Sequence, residues 1–453
     1  MALGRNDGHM AKIMIITAST GGGHNQVAMT LEEGFRELGH EAELVDFIKE
    51  ENKMLEMLVE EGYEILAGRF PKLYGELYKI TNREFLDGPF TKLFIRAESR
   101  RTWEIIRDKK PDLIIGTHPF AVKLIGALKK SKKIETPFIS IVTDFEAHQT
   151  YVDQNVDAYV TGSRHTRAGL IKKGIASEKI YPLGIPIKSE FFRNSDNPPL
   201  HPGKFTVLLM GGSMGLRGIK KVLSRLTEMD EDLFIHAVCG NNRELKNRLR
   251  EKHADSIEAG KLNVMGFVDN ISELMDDADV IITKPGGLTV SESIAKNLPM
   301  IIPFFIPGQE EENADFLALR EAAVKIEKEE DLEARIKSMI KDPAVLEGMR
   351  ANMESINMGD SLKGVIALAQ DLLESQAQKA KLKELLEKEI GALGIYNVWT
   401  AVHVENGTSV MSRRLLDLYG EEFDAETVEK VFIEDFYDDD AFKKDAGKRC
   451  GLR

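Results

Sequence analysis

Residues 284–313 read KPGGLTVSESIAKNLPMIIPFFIPGQEEEN and hold two polar, glycine-bearing turns, each after an apolar run. Val280-Ile281-Ile282 leads into Lys284-Pro285-Gly286-Gly287, and a helical pattern starts at Thr289. Met300-Ile301-Ile302 leads into Pro303 to Gly308, with a second helical pattern from about Gln309. Bare backbone at a helix N-terminus suits a phosphate, because unpaired N–H groups and the helix dipole both favour an anion. Gly286, Gly287, Leu288 and Thr289 would present N–H groups or a hydroxyl to a diphosphate, and Glu292, within the first turns of that helix, can reach a ribose diol. The second turn brings Gln309, Glu310 and Asn313, an amide and carboxylate set that suits a polyol. Side by side the two turns make a nucleotide-sugar site. A plain tight turn is the alternative, and it leaves the neighbouring GQEEEN unexplained.

A second group of reactive residues lies near the start of the chain. Gly21-Gly22-Gly23-His24, His118-Pro119 and Thr143-Asp144-Phe145 with His148 each follow an apolar run. Three strand ends thus deliver His24, His118, Asp144 and His148 towards one cleft. Gly22 and Gly23 allow close approach of a ligand to the backbone, but the run lacks the G-x-G-x-x-G spacing and the P-loop Lys-Ser/Thr. An imidazole at a cleft edge can serve as general base near neutral pH. A carboxylate close by can orient an acceptor hydroxyl or stabilise the protonated base. Spacing does not say which histidine carries the proton, and His24 could equally cap or pack.

These residues need elements to hold them. Lys12 to Thr17, Ala42 to Phe47, Leu113 to Ile115, Phe138 to Val142 and Ala158 to Val160 are short apolar runs typical of buried parallel strands, with helical patterns between them. A second series opens at Phe205 to Met210 with Gly211-Gly212-Ser213-Met214-Gly215, and continues through Leu233 to Val238, Val264-Met265 and the 280–313 block. Alternating strands and helices predict an α/β protein of two Rossmann-like, doubly wound domains facing across a cleft, whose ligands sit outside the carboxyl ends of the strands. The expected division is a disordered leader 1–10, a first domain 11–190, a linker 191–203, a second domain 204–375 and an acidic extension 376–453.

Two segments break the rhythm. Residues 50–107 carry Tyr63, Phe70, Tyr74, Tyr78, Phe85, Phe90, Phe94 and Trp103. They form either a helical pair with its aromatics packed inward or a surface for a lipid or acceptor. Residues 421–445 are densely acidic, including Asp438-Asp439-Asp440. A solvated or partner-binding appendage and a carboxylate metal site are both open there.

The chain has 453 residues, 42% hydrophobic and 30% charged, the composition of a globular protein of two or three domains. No run approaches the ~20 apolar residues of a transmembrane helix, and the polar start MALGRNDGHM has no signal-peptide core. Cys239 and Cys450 form neither a disulfide framework nor a metal-ligand spacing, which points to a reducing cytoplasm. The net charge is −13, and the first 190 residues are balanced, so the whole deficit lies beyond them. No half is net basic, which argues against a nucleic-acid partner. Basic clusters at Arg96 to Arg107 and Lys129 to Lys133 could touch an anionic membrane or simply be solvated helix faces.

The ordered set GGGH, HP, TDF-x-x-H, GIP, GGS-x-G, G-F-V, KPGGLT-x-x-E and PGQE-x-x-N, spread over residues 12–375, resembles the monogalactosyldiacylglycerol synthase and processive diacylglycerol glucosyltransferase family. It is similar, more distantly, to the enzyme that adds N-acetylglucosamine to lipid I. The resemblance implies a GT-B fold and an inverting transfer of hexose from a UDP-sugar to diacylglycerol, with no metal or other cofactor. It also implies a cytoplasmic protein held peripherally on the inner face of the membrane. It places Glu292 on the donor ribose and Phe267-Val268 at uracil. Gly211, Gly212 and Ser213, with Gly286, Gly287, Leu288 and Thr289, fall at the diphosphate. Gln309, Glu310 and Asn313 fall at the hexose, and His24 with Asp144 at the acceptor–donor junction beside Gly22, Gly23, His118 and His148. The family often has Trp where Tyr151 stands, and GQEEENA looks nearer to the glucosyl-transferring bacterial members. Two other classes remain: a nucleotide-sugar epimerase, which would isomerise its donor without an acceptor, and a UDP-sugar sensor that signals through the acidic tail.

Overall fold

The computed structural model describes residues 10–18, 22–46, 89–193, 200–211, 216–328, 330–393, 404–405 and 408–409. The leader up to residue 9, most of the aromatic segment and the acidic run 421–445 lie outside the described residues.

In chain order the first half contains β1 (Lys12–Thr17), α1 (Gly22–Glu37), β2 (Glu41–Asp46), α2 (Pro89–Lys109), β3 (Leu113–Gly116), α3 (Pro119–Lys130), β4 (Phe138–Val142), β5 (Ala158–Thr161), α4 (Arg164–Lys172) and β6 (Ile180–Tyr181). The second half contains β7 (Phe205–Met210), α5 (Leu216–Glu228), β8 (Leu233–Val238), α6 (Arg243–Lys252), α7 (Ala254–Glu258), β9 (Leu262–Met265), α8 (Ile271–Asp277), β10 (Val280–Ile282), α9 (Gly287–Ala295), β11 (Met300–Ile302), α10 (Gln309–Ala318), β12 (Ala323–Lys325), α11 (Asp331–Lys341), α12 (Pro343–Ile356) and the start of α13 (Ser361–Leu393).

The strands form two six-stranded sheets, in the orders β2-β1-β3-β4-β5-β6 and β12-β11-β10-β7-β8-β9. All pairings within them are parallel, with Ile13 opposite Leu113 and Ile281 opposite Met300. Parallel strands are covered by helices on both faces, so β3, β4 and β8 are buried along their whole length. One core gathers Ile114, Val122, Phe138 and Tyr159. The other gathers Val207, Leu223, Ile235 and Ile301.

The strand orders locate the crevices. In the first sheet the chain leaves β1 for β2 on one side and returns to β3 on the other, so the switch point lies between β1 and β3. His24 follows β1 and His118 follows β3. In the second sheet the switch lies between β7 and β10, and Gly211 and Gly286 to Thr289 follow those two strands. Each crevice therefore opens beside residues singled out by their chemistry.

The expected strands are present, and two more sit at sheet edges. The edge strand β6 has 2 residues, and β12, with 3, ends in a lysine and is only partly buried, so neither gives the short apolar run that marks β10 and β11. The helix expected from Thr289 starts earlier, at Gly287, because Gly286 serves as its N-cap. The boundary expected between residues 375 and 376 falls inside one continuous helix, α13, of 33 residues.

The chain divides into two compact units, Met1–Ala367 and Leu368–Arg453. Within the first unit the beginning of α13 reaches back to the first sheet. Ser361 Oγ donates to the Ile185 carbonyl at 2.9 Å, and a Cβ at Gly34 would meet Leu362 at 3.0 Å. The second unit contains the rest of α13 and a short antiparallel pair, β13 (Val404–Glu405) with β14 (Thr408–Ser409).

Candidate active site

The end of β1 is tied to α1 by Thr17 Oγ1, which donates to Asn25 Oδ1 at 3.0 Å. His24 sits beside it, half-buried, in the first turn of α1. Its Nδ1 lies 2.9 Å from the Thr117 carbonyl oxygen. A carbonyl has no proton to give, so Nδ1 bears the hydrogen and Nε2 the lone pair. The same Nδ1 is 2.9 Å from Thr143 Oγ1, and that hydroxyl is 3.0 Å from the Tyr151 phenol. Burial lowers the His24 pKa to about 4, against a weaker raising effect of the Thr117 carbonyl. The imidazole is therefore neutral at physiological pH, with its basic nitrogen defined.

The other two histidines have structural work as well. His118 is the N-cap of α3 and accepts from the Phe120 N–H at 3.1 Å through Nδ1, which places its neutral-state hydrogen on Nε2. Its ring meets His24 edge-on, with centroids 4.7 Å apart. Burial, then the His24 charge, hold its pKa well below the usual imidazole value. His148 caps the short 3-10 turn Gln149–Tyr151, accepting from the Thr150 N–H at 3.2 Å.

Asp144 follows Thr143 at the end of β4 and is buried. Burial raises its pKa to about 6, opposed by hydrogen bonds from Gln309 and Asn313 and reinforced by the Glu310 charge. Gln309 Nε2 donates to Asp144 Oδ1, and the Phe145 N–H donates to Asn313 Oδ1 at 3.0 Å. Asn313 Nδ2 in turn donates to the Pro285 carbonyl at 3.1 Å. Glu310 is held by Lys284 Nζ at 2.7 Å and by the Ile306 N–H at 2.9 Å. The trio read as polyol ligands thus spans the two Rossmann-like halves. Gln309 and Asn313 reach Asp144 and Phe145, while Glu310 braces the turn that carries them. Gly308, before α10, has φ 101°, a conformation that selects glycine.

The N-terminus of α9 faces the same junction. Gly286 caps it without a side chain, and among the described residues no hydrogen bond engages the N–H groups of Gly287, Leu288 or Thr289. Three unpaired donors on a helix end are suited to receive an anion. Gly287 has no room for a side chain, because a Cβ there would collide with the Thr143 carbonyl oxygen. Thr143 therefore touches His24 through its hydroxyl and the head of α9 through its carbonyl. Glu292 is half-buried in the next turn of α9, and no hydrogen bond to its carboxyl is formed among the described residues. Burial, then Glu190, raise its pKa to about 8, with Lys188 opposing.

Gly211 is buried at the end of β7, while Gly212 and Ser213 lie outside the described residues. Phe267, read as a uracil contact, is 67% exposed, a large apolar ring left open to solvent, and Val268 is half-buried. Gly23 is exposed with open space where a Cβ would stand. No group of three or more His, Cys, Asp or Glu among the described residues could hold a metal ion.

Sequence reasoning did not assign Thr117, Thr143 or Lys284 a role, and took Tyr151 only as a departure from the family. Thr143 and Lys284 stand in the turns already singled out, so adjacency was a usable signal. The part played by Thr117 is a backbone carbonyl, which no residue type announces.

Comparison with known proteins identifies the family of the chain. A profile of the family described as monogalactosyldiacylglycerol (MGDG) synthase matches residues 24–187, and one described as glycosyltransferase family 28 C-terminal domain matches residues 206–365. The processive diacylglycerol beta-glucosyltransferase of Bacillus cereus (strain ATCC 10987 / NRS 248) is 32% identical over 355 residues, covering 76% of this chain and 89% of the relative. That of Bacillus subtilis (strain 168) is 29% identical over 384 residues, covering 82% of this chain and 97% of the relative. The crystal structure of Acinetobacter baumannii MurG matches with a TM-score of 0.54 at 16% identity, over 80% of this chain and 99% of that one, a likeness of fold alone. The chain belongs to the monogalactosyldiacylglycerol synthase and processive diacylglycerol glucosyltransferase family of two-Rossmann, GT-B glycosyltransferases.

Proposed function

We propose that this protein transfers glucose from UDP-glucose to diacylglycerol with inversion at the anomeric carbon. The observation that carries the reading is Thr143, which joins a neutral, tautomer-fixed imidazole to an unpaired helix N-terminus. A base and an anion site held by one residue is the arrangement a displacement reaction needs. The acceptor hydroxyl attacks C1 of the hexose, its proton passes to His24 Nε2, and the C1–O bond to the β-phosphate breaks. The departing UDP carries its charge onto the N–H groups of Gly287, Leu288 and Thr289, where a helix dipole stabilises it. Asp144 is ionised above a pH of about 6. In this reading it orients the acceptor hydroxyl and offsets the imidazolium charge.

On the donor side Glu292 takes the ribose hydroxyls, and Gly211 with Gly212 and Ser213 completes the diphosphate cradle. Phe267 and Val268 flank uracil, and the exposed Phe267 ring is a surface a base can stack on. Gln309 and Glu310 meet the hexose, with Asn313 as their strut to Phe145 and Pro285. Gln309 then exchanges Asp144 for a sugar hydroxyl. Residues 11–190 hold the acceptor, with His118 and His148 beside Gly22 and Gly23, and residues 204–375 hold the donor. The leaving charge is met by backbone donors, so the reaction proceeds without a metal. Glucose, rather than galactose, follows the activity of the bacterial relatives.

No helix among the described residues is long and apolar enough to cross a membrane, yet the acceptor resides in one. The chain works peripherally, on the inner face. Lys129 to Lys133 close α3 at the amino edge of the sheet, opposite the end that carries His24. In that cluster Lys129 pairs with Asp157 at 2.7 Å while Lys130, Lys132 and Lys133 are exposed, and the proposed membrane contact belongs to the carboxyl-edge side, where α2 begins.

The test is product analysis. With UDP-glucose and vesicles containing diacylglycerol, glucosyldiacylglycerol and UDP should appear together. An isomerised donor without acceptor would instead make the chain an epimerase, and UDP binding without any turnover would make it a sensor.

A further inference from the structure

We propose that Thr143 and Tyr151 are positioning residues that hold the His24 imidazole for transfer, with Thr143 also setting its distance from the donor helix. The inference rests on the proposed glycosyl transfer and adds to it residues that touch neither substrate.

Three polar groups run inward from the base. His24 Nδ1 meets Thr143 Oγ1 at 2.9 Å, and Thr143 Oγ1 meets Tyr151 Oη at 3.0 Å. Thr143 and Tyr151 are both buried. The turn that supplies Tyr151 is itself fixed, since Tyr159 Oη donates to the Tyr151 carbonyl at 2.9 Å and His148 caps the turn. From the other side the Thr117 carbonyl takes the same Nδ1 hydrogen at 2.9 Å. The ring is thus gripped from the ends of two neighbouring strands, β3 and β4, and cannot rotate without breaking contact with one of them.

A merely structural role does not account for this chain of groups. Val in place of Thr143 would fill the same volume without bringing a hydroxyl into the interior, where an unmet polar atom costs about 1–3 kcal/mol. The hydroxyl has a use when the ring is charged. As His24 takes the acceptor proton, its Nδ1–H becomes a charged donor, and bonds to charged donors are roughly twice as strong as neutral ones. Thr143 Oγ1 therefore stabilises the transition state more than the resting enzyme, which raises turnover rather than substrate affinity. The Thr143 carbonyl against Gly287 adds register, because the base and the phosphate donors are then referred to a single residue.

The experiment uses the full chain and three variants, Thr143→Val, Thr143→Ser and Tyr151→Phe, with UDP-glucose and diacylglycerol vesicles. Thr143→Val should lower kcat by about tenfold or more, part of the 10²–10⁴-fold worth of a positioned base, with KM for UDP-glucose changed less than about twofold. Thr143→Ser should recover kcat to within about threefold of the original, and Tyr151→Phe should fall between the two. A Thr143→Val enzyme with unchanged kcat, or a Ser variant as impaired as the Val one, overturns the proposal. If Thr143→Val does not fold, Tyr151→Phe decides alone, and unchanged kcat there overturns it. Nitrogen-15 spectra of the imidazoles separate this proposal from the functional reading. Expected are a hydrogen on His24 Nδ1 and a shift of that resonance in Thr143→Val or Tyr151→Phe, whatever the acceptor. An unmoved resonance overturns the positioning role, whereas absence of glycolipid beside a moved resonance overturns only the assigned reaction.

Discussion

Burial moves the pKa values of His24, Asp144 and Glu292 in ways that suit the different tasks proposed for them. Burial lowers His24 to about 4, so it stays a neutral base across the working range. Burial raises Asp144 to about 6, so in the proposed reaction the acid limb of kcat/KM should follow the carboxylate and not the imidazole. The Gln309 hydrogen bond favours the charged form of Asp144. Its removal in Gln309→Leu should therefore move that limb to higher pH, and a pH–rate profile with an unmoved limb would assign it to another group. Glu292 keeps its proton up to about 8 in the unliganded chain, chiefly through burial. A carboxylate is the better partner for two ribose hydroxyls, so UDP should bind more tightly as pH rises from 6 towards 9. Glu292→Gln should abolish that slope and weaken UDP about tenfold or more, since hydrogen bonds to charged groups are worth ~1.5–3 kcal/mol. Calorimetric titration across that range reads both effects. Without ligand the sign is opposite. The native state binds this proton more tightly than the unfolded chain does, so stability falls as pH rises from the ordinary carboxylate range through about 8.

At the level of elements, the strand–turn–helix units do most of the positioning, and most of them were legible. The apolar runs before Lys284 and Pro303 became β10 and β11, adjacent and parallel, so their turns do share one sheet edge. Glycine-bearing turns after strands announced themselves because they interrupt an apolar period. The edge strands β6 and β12 did not, because Ile180-Tyr181 and Ala323-Val324-Lys325 make no continuous buried apolar run of the kind that marks β10 and β11. Nor could sequence reveal that the Gln309 amide meets Asp144, which depends on how the two sheets face each other, or that the Thr117 carbonyl fixes the tautomer of His24, which depends on the pairing of β1 with β3. Gly287 is legible in one sense and not in another. Its place in a strand-to-helix turn could be read, whereas its close approach to Thr143 is tertiary. Gly287→Ala should force α9 and the β4 end apart at a cost of about 1–3 kcal/mol, the range for overpacking. A thermal melt should register that loss together with reduced transfer. An alanine variant with unchanged stability and rate would mean that the two halves are not held in this register.

At the scale of the whole molecule, two sheets bring their switch points together in one unit. In the proposed reaction the first crevice contributes the base and the second the anion site, and neither alone would be a transferase. The contacts across the junction run from Thr143, Asp144 and Phe145 to Gly287, Gln309 and Asn313, with Ser361 returning to Ile185. Sequence order made the two-domain plan visible, and the closeness of the junction came only with the fold. The measurement that tests this most directly compares the unsubstituted chain with His24→Ala, using UDP-glucose, diacylglycerol vesicles and a parallel titration with UDP. The unsubstituted chain should form β-glucosyldiacylglycerol. His24→Ala should lose at least about a hundredfold in kcat, the contribution of a positioned general base, while binding UDP as before. Equal glycolipid from both proteins would contradict the account.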